Sequence, residues 1–349
     1  MTSAPPARPR LDGLDLARYL ALAGMILVNF RLAMQPAARG PAWLDGLLGF
    51  LEGKASATFV VLAGIGLVLA TRNLESTTAR IWTLRRSLFL LCAGLLNLLI
   101  FPADIIHYYA VYFLLVLPLL RARIAPLLAA MLAVATVSLW ALLNSDYSQG
   151  WEWAALHYTD LWTPAGFARN LLFNGFHPVL PWLTLFLYGM LLAHLPLQRA
   201  STQWALAGAG LSMAVLAGGI SHLCQDSAFA WLLGTTPMPP GPLYLLMGIG
   251  SASAAIAVCL RISSQWPNRP LRFLLPAGRM TLSIYLAHIF IGMGLLETLG
   301  ALDGNCTLTD AALAASAFLA FATIVAWVWS FKMRQGPVER LMRWLTAVR

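Results

Sequence analysis

Asp104 and His107 stand three apart in DIIHYYA at 104–110. A carboxylate beside an imidazole fixes the ring's tautomer and raises its basicity, as a general base requires. His177 opens another apolar run and is followed by Pro178, a residue that the first position of a helix tolerates. Asn29 closes the first apolar run of the chain. With Lys54, Tyr108 and Tyr109 these groups form one expected polar layer. A second layer holds Asp15, Arg18, Arg72, Arg85, Arg86 and Arg279. Asp15 and Arg18 share a helix face and can neutralise each other. Pro276-Ala277-Gly278-Arg279 reads as the start of a helix, whose free N–H groups and positive dipole end suit an anion such as a coenzyme A phosphate. His288 falls between the layers, about 18 Å along that helix at ~1.5 Å per residue. It reads either as a buried hydrogen-bonding group or as part of a pathway or active site. The plain alternative for the outer histidines is an interfacial side chain, and for the arginines ordinary membrane anchoring.

The elements that must position these residues follow from composition. The 349 residues are 59% hydrophobic and 11% charged. Soluble domains carry roughly 25% charged residues, so the expected fold is all-α, a polytopic transmembrane helix bundle. A net charge of +9 does not point to nucleic acid, because the arginines are spread through short connections between apolar runs. Ten spans are expected, at 15–33, 55–70, 88–101, 105–120, 125–143, 178–195, 204–223, 243–260, 276–296 and 311–331. With the N-terminus and C-terminus cytoplasmic, 19 of the 23 Lys and Arg residues fall on the inner side and 4 on the outer. That asymmetry sets the orientation.

The whole chain, 1–349, is expected to be one transmembrane domain with cytoplasmic tails at 1–13 and 332–349. The aromatic-rich outer connection at 145–177 suits a helix lying in the headgroup region or, more sharply, a substrate lid. The segment 73–86 reads as amphipathic and basic on the inner side, in contact with anionic lipid, and 335–349 as an amphipathic helix on the same surface. Cys224 and Cys306 both fall in outer connections, where a disulfide could persist, and are expected to pair. The four cysteines show no metal-ligand spacing. The GIG patterns at 64–66 and 248–250 permit close helix packing.

Several short motifs in a specific order carry a resemblance. They are LDLARY at 14–19 running on to MILVNF at 25–30, EGKA at 52–55 with TF at 58–59, and LAGIGL at 62–67. Arg85-Arg86, Gly94, DIIHYYA, HPVLPWL at 177–183, Gly189, GRMTLSIYLAHI at 278–289 and GPVERL at 336–341 follow. Together they resemble the YeiB-like family of multi-pass membrane proteins over nearly the whole chain. That family is similar to the heparan-α-glucosaminide N-acetyltransferases and, more distantly, to membrane acyltransferases that modify surface polysaccharides. The resemblance implies a ten- or eleven-helix fold in which cytoplasmic acyl-CoA donates an acyl group through the bilayer. Asn29 matches the asparagine that ends the first helix of the acetyltransferases. Their base is a histidine near the outer end of the first helix pair, but residues 31–54 contain none. His177 or His107 is the expected substitute.

The leading expectation is therefore an acyltransferase of the bacterial inner membrane. Acyl-CoA, such as acetyl-CoA, is the expected cosubstrate, with no tightly bound cofactor and no metal. Arg18, Arg85, Arg86 and Arg279 would hold its phosphates. His177, His107, Asp104, Asn29 and His288 are the catalytic candidates. The expected partners are the lipid bilayer and an unidentified periplasmic or lipid-linked acceptor, with a homodimer left open. The rival is a small-metabolite or lipid transporter, in which His288 and the Asp104–His107 pair would be relay groups. No internal repeat between the halves supports it.

Overall fold

The computed structural model describes residues 11–37, 40–266 and 269–348. Tail residues 1–10, with Arg8 and Arg10, lie outside the described residues, as do Arg39 and Arg349. The chain folds into helices α1 (Asp12–Met34), α2 (Ala42–Leu51), α3 (Lys54–Thr71), α4 (Ser76–Leu98), α5 (Ile106–Leu115) and α6 (Ile124–Asn144). A small hairpin, β1 (Trp151–Glu152) and β2 (His157–Tyr158), precedes α7 (Pro164–Arg169), α8 (Val179–Leu192), α9 (Ala200–Leu223) and α10 (Pro242–Gln265). The remainder is α11 (Arg269–Arg279), α12 (Thr281–Ala287), α13 (Gly294–Thr298), α14 (Leu308–Ser330) and α15 (Pro337–Thr346). This is a mostly helical, multi-pass membrane protein.

Among the described residues, 8 helices are long and apolar enough to cross a bilayer, or 9 if the bent pair Pro164–Asn174 and Val179–Leu192 makes one span. Of the ten expected spans, the one at 105–120 is carried by a shorter apolar helix, α5. That helix is only 10 residues long. It gives way to a 3-10 turn at Leu117–Leu119, where Pro118 cannot continue the helix hydrogen-bond ladder.

Two further boundaries differ from expectation for local reasons. Most of the basic segment 73–86 belongs to α4, which begins at Ser76 and not at the expected span start of 88. Its buried residues Ala79, Thr83, Ser87, Leu90, Gly94 and Asn97 recur every three or four positions, one unbroken stripe of a single helix. Pro276–Arg279 does not begin a span either. It ends α11, and the crossing segment begins beyond it at Thr281. The helix start expected to offer free N–H groups is already occupied. The Glu339 carboxylate of α15 accepts from Leu282 N at 2.7 Å and Ser283 N at 3.1 Å.

The core of the bundle is built on close helix crossings. A Cβ at Gly64 would stand 2.1 Å from Phe186 O, and one at Gly189 would stand 2.0 Å from Val61 O. So α3 and α8 touch backbone to backbone, as small residues allow in membranes. The expected disulfide is absent: Cys224 and Cys306 are both free thiols. Cys306 lies at the end of α1, with Sγ 3.5 Å from Met34 O, whereas Cys224 caps α9, the helix that packs on α10.

Candidate active site

The site is assembled at the end of the bundle opposite the arginines. Asn29 sits in the last turns of α1, and His288 opens a π-helical turn, His288–Met293, between α12 and α13. Single π turns within helices recur at functional positions. His288 lies seven residues beyond Thr281, or roughly 10 Å along the crossing segment at ~1.5 Å per residue. Its Nδ1 bonds the Tyr285 carbonyl. A carbonyl only accepts, so Nδ1 carries the proton and Nε2 is an acceptor. The Asn29 amide meets that acceptor, with Nδ2 3.1 Å from Nε2. One amide N–H of Asn29 is thus committed, and its orientation is fixed by a histidine that is fully buried.

Behind this pair lies Asp104, in the tight turn between α4 and α5. It is fully buried, and a buried carboxylate needs a full set of donors. Asn97 Nδ2 donates to Oδ1 at 2.6 Å. His107 donates its backbone N–H to Oδ2 at 3.0 Å, and its Nδ1 lies 2.8 Å from the same oxygen. The close approach of α5 to α4 that allows this depends on Gly94, where a Cβ would be 2.3 Å from His107 N. The Tyr285 hydroxyl completes the group, 3.5 Å from Asp104 Oδ1 and accepting from Ile105 N at 3.2 Å. A polar chain therefore runs Asn97–Asp104–Tyr285–His288–Asn29.

That chain opens at a cavity of about 290 Å³. Asn29, Glu52, Ser56 and His177 supply its polar wall, with Met25 and Phe176 among the apolar residues. His177 occupies the 46° bend between the α7 segment and α8. Its ring stands edge-on to Trp182 at 4.6 Å and lies 6.0 Å from Tyr108. Its Nδ1 is buried and unpartnered among the described residues. Asn29 and His177 thus share the cavity, and His288 stands directly behind Asn29. Asp104 and His107 are placed a layer further back, outside the cavity wall, with the Tyr108 ring tilted against that of His107, centroids 3.9 Å apart. Lys54 turns towards Gly49 O, 3.5 Å away, and Tyr109 is buried with its hydroxyl unpartnered among the described residues.

The cavity continues into an outer hollow of about 440 Å³ that shares Val28, Leu32, Glu52 and Leu156 with it. The connection at 145–177 forms the roof. The expected single surface helix is replaced there by the hairpin and the short helix α7. A headgroup helix needs an uninterrupted amphipathic run, whereas here the aromatics pack on each other. Trp151 stacks on Trp153 at 5.0 Å and donates Nε1–H to Asn174 O at 2.6 Å. Tyr158 donates to Asn174 Oδ1 at 2.7 Å and accepts from Arg169 at 2.8 Å. Burial raises the pKa of the Tyr147 and Tyr158 hydroxyls, so both remain protonated. Trp153 and Leu156 face the cavity. Leu156 holds φ +48°, a left-handed conformation costing a non-glycine residue about 1–2 kcal/mol, and it lines both hollows.

The four arginines expected to hold phosphates lie at the opposite end but do not form one cluster. Arg18 and Arg279 grip buried Asp15, at 2.8 Å and 3.1 Å, and Arg279 also reaches Asp12 at 3.3 Å. Arg86 lies between the rings of Trp82 and Phe113, at 5.2 Å and 5.7 Å, with its Nε buried and unpartnered among the described residues. Arg85 donates to the Ala347 carbonyl beyond α15. The C-terminal amphipathic helix is present as α15, joined to the bundle through Glu339 and Arg85.

Glu52 carries no expected role in the sequence reading, yet it lines both hollows. The signal that could have found it is the Glu-Gly pair interrupting an apolar run. Gly53 has φ +73°, the turn that separates α2 from α3.

A search of curated proteins and a search of solved structures each returned no match. Residues 191–349, which include His288, match a family described as proteins of unknown function (DUF418). Residues 10–234, well over half of the chain and holding Asn29, Glu52, Asp104, His107 and His177, match the family model for the heparan-alpha-glucosaminide N-acetyltransferase catalytic region, and the chain belongs to that family.

Proposed function

We propose that the protein is a transmembrane acyltransferase of the bacterial inner membrane, moving an acetyl group from cytoplasmic acetyl-CoA to an amine or hydroxyl on the outer side. The observation that carries this reading is the shared cavity of His177 and Asn29, at the end of the bundle remote from the arginines. Both chain termini are cytoplasmic in this reading, because 19 of the 23 basic residues then lie inside. The family match supports the acetyl donor.

The chemistry follows from the groups present. The second N–H of Asn29, left over by His288, donates to the thioester carbonyl as the tetrahedral oxyanion forms. One such donor contributes about 2.7–4 kcal/mol to the transition state. His177 takes the proton from the attacking acceptor and returns it to the departing thiolate. The acceptor–carbon bond forms, the carbon–sulfur bond breaks, and the imidazole ends as it began. His288, Tyr285 and Asp104 act through Asn29 and hold it in place. Arg18, Arg85, Arg86 and Arg279 attract the coenzyme A phosphates to the cytoplasmic face.

Titration of the purified protein with acetyl-CoA by calorimetry tests the donor half. Saturable heat is expected, with affinity about tenfold lower in Arg85→Ala, the loss of one charged hydrogen bond. Among the described residues the Arg85 guanidinium bonds the Ala347 carbonyl alone, so that variant should fold. Absence of saturable heat, or an unchanged affinity in Arg85→Ala, overturns the donor assignment.

A further inference from the structure

We propose that Glu52 is the residue that selects a cationic amine as acceptor and takes its first proton. The inference rests on the acetyltransferase reading above and assigns a role to a side chain that it leaves unused. Three observations carry it. Glu52 is exposed and lines both the inner cavity and the outer hollow, so it stands where one opens into the other. Its backbone is fixed: it ends α2 at the left-handed Gly53, whose carbonyl accepts from Tyr244 at 3.0 Å and Ser56 at 3.1 Å. A Cβ at Gly53 would meet Pro237 and the Tyr244 ring at 2.9 Å.

The third observation is charge. Asp45, in the outer hollow, is paired with Arg31 at 3.3 Å. Lys54, two residues from Glu52, points to the Gly49 carbonyl instead. Among the described residues no ion pair or side-chain hydrogen bond occupies the Glu52 carboxylate. Lys54 feels the Glu52 charge but does not line the cavity, so Glu52 is the one charged side chain in the inner cavity wall among the described residues, beside Asn29, Ser56 and His177. An ammonium group fits that field, and a neutral hydroxyl gains little from it.

The proton balance needs such a group. An amine reaches the site as R–NH₃⁺ at neutral pH and must lose one proton before its nitrogen can attack. Glu52 accepts that proton, leaving R–NH₂, and releases it to water in the outer hollow. The nitrogen then attacks the thioester carbon, and the carbon–sulfur bond breaks. The second nitrogen proton passes through His177 to the thiolate. The products are the amide, the free thiol and one proton.

Equilibrium binding in the absence of any donor tests this separately from acetyl transfer. Glucosamine, a cationic probe, is titrated into the wild-type protein, Glu52→Gln and Glu52→Asp by calorimetry, with neutral N-acetylglucosamine as control. The expected result is about tenfold weaker glucosamine binding in Glu52→Gln, partial recovery in Glu52→Asp and no change for the neutral sugar. In turnover, Glu52→Gln should raise KM for the amine, and its rate should climb more steeply with pH as free amine becomes available. Equal glucosamine affinity in wild type and Glu52→Gln, or no glucosamine binding at all, overturns the assignment. Neither outcome touches acetyl-CoA binding, so this inference and the donor reading fail separately.

Discussion

His177→Ala is expected to slow acetyl transfer by about 10²–10⁴, the range that a positioned general base contributes, while leaving the thermal midpoint nearly unchanged. The ring makes no hydrogen bond within the described residues and rests against Trp182 at the edge of the cavity. Its removal therefore deprives the core of little. His107→Ala should behave in the opposite way. His107 is buried with Asp104, so its loss exposes a carboxylate inside the bundle and lowers stability first. Rate and melting temperature measured on the two variants separate the roles. Full activity in His177→Ala would remove this histidine from the chemistry and return His107 to consideration.

Asp15→Asn is expected to destabilise the folded protein by about 3 kcal/mol, the lower end of what breaking a buried ion pair costs. Asp15 is 1% exposed and lies between the guanidinium groups of Arg18 and Arg279. Asparagine keeps the shape but leaves two cations without their shared counter-charge. Both arginines reach solvent in part, at 27% and 26% exposure, which keeps the cost from being higher. The cluster also ties α1 to α11, where a Cβ at Gly278 would lie 1.9 Å from Asp15 O. The denaturation midpoint in detergent is the readout. An unchanged midpoint would show that the three-way pair contributes nothing to holding these helices together.

Much of the bundle is legible in the sequence because the bilayer imposes a simple rule. Long apolar runs and the uneven distribution of arginine locate α1, α3, α6, α9, α10 and α14 near their observed places. The pairing of Asp104 with His107 is legible for the same reason as any helical neighbour, since three residues make one turn. What is not legible depends on contacts between distant segments. Glu339 comes from the end of the chain to cap α12, so nothing local marks Pro276–Arg279 as the close of one helix instead of the opening of another. The meeting of Asn29 with His288 spans 259 positions. Glu52 is hidden by its neighbours: a single acid beside a lysine reads as an interfacial pair, and only the cavity shows that its carboxylate is open. The hairpin within the roof of the site is not legible, because aromatic residues that suit a headgroup helix suit a compact hairpin equally well.

Sealed proteoliposomes carrying the protein in one orientation separate the two faces. Labelled acetyl-CoA supplied to the face bearing Arg85 and α15, with glucosamine confined to the face bearing Trp153, should yield labelled N-acetylglucosamine on the Trp153 side. Product that forms only when both reagents share one face would contradict transfer across the bilayer. So would the absence of product from folded protein.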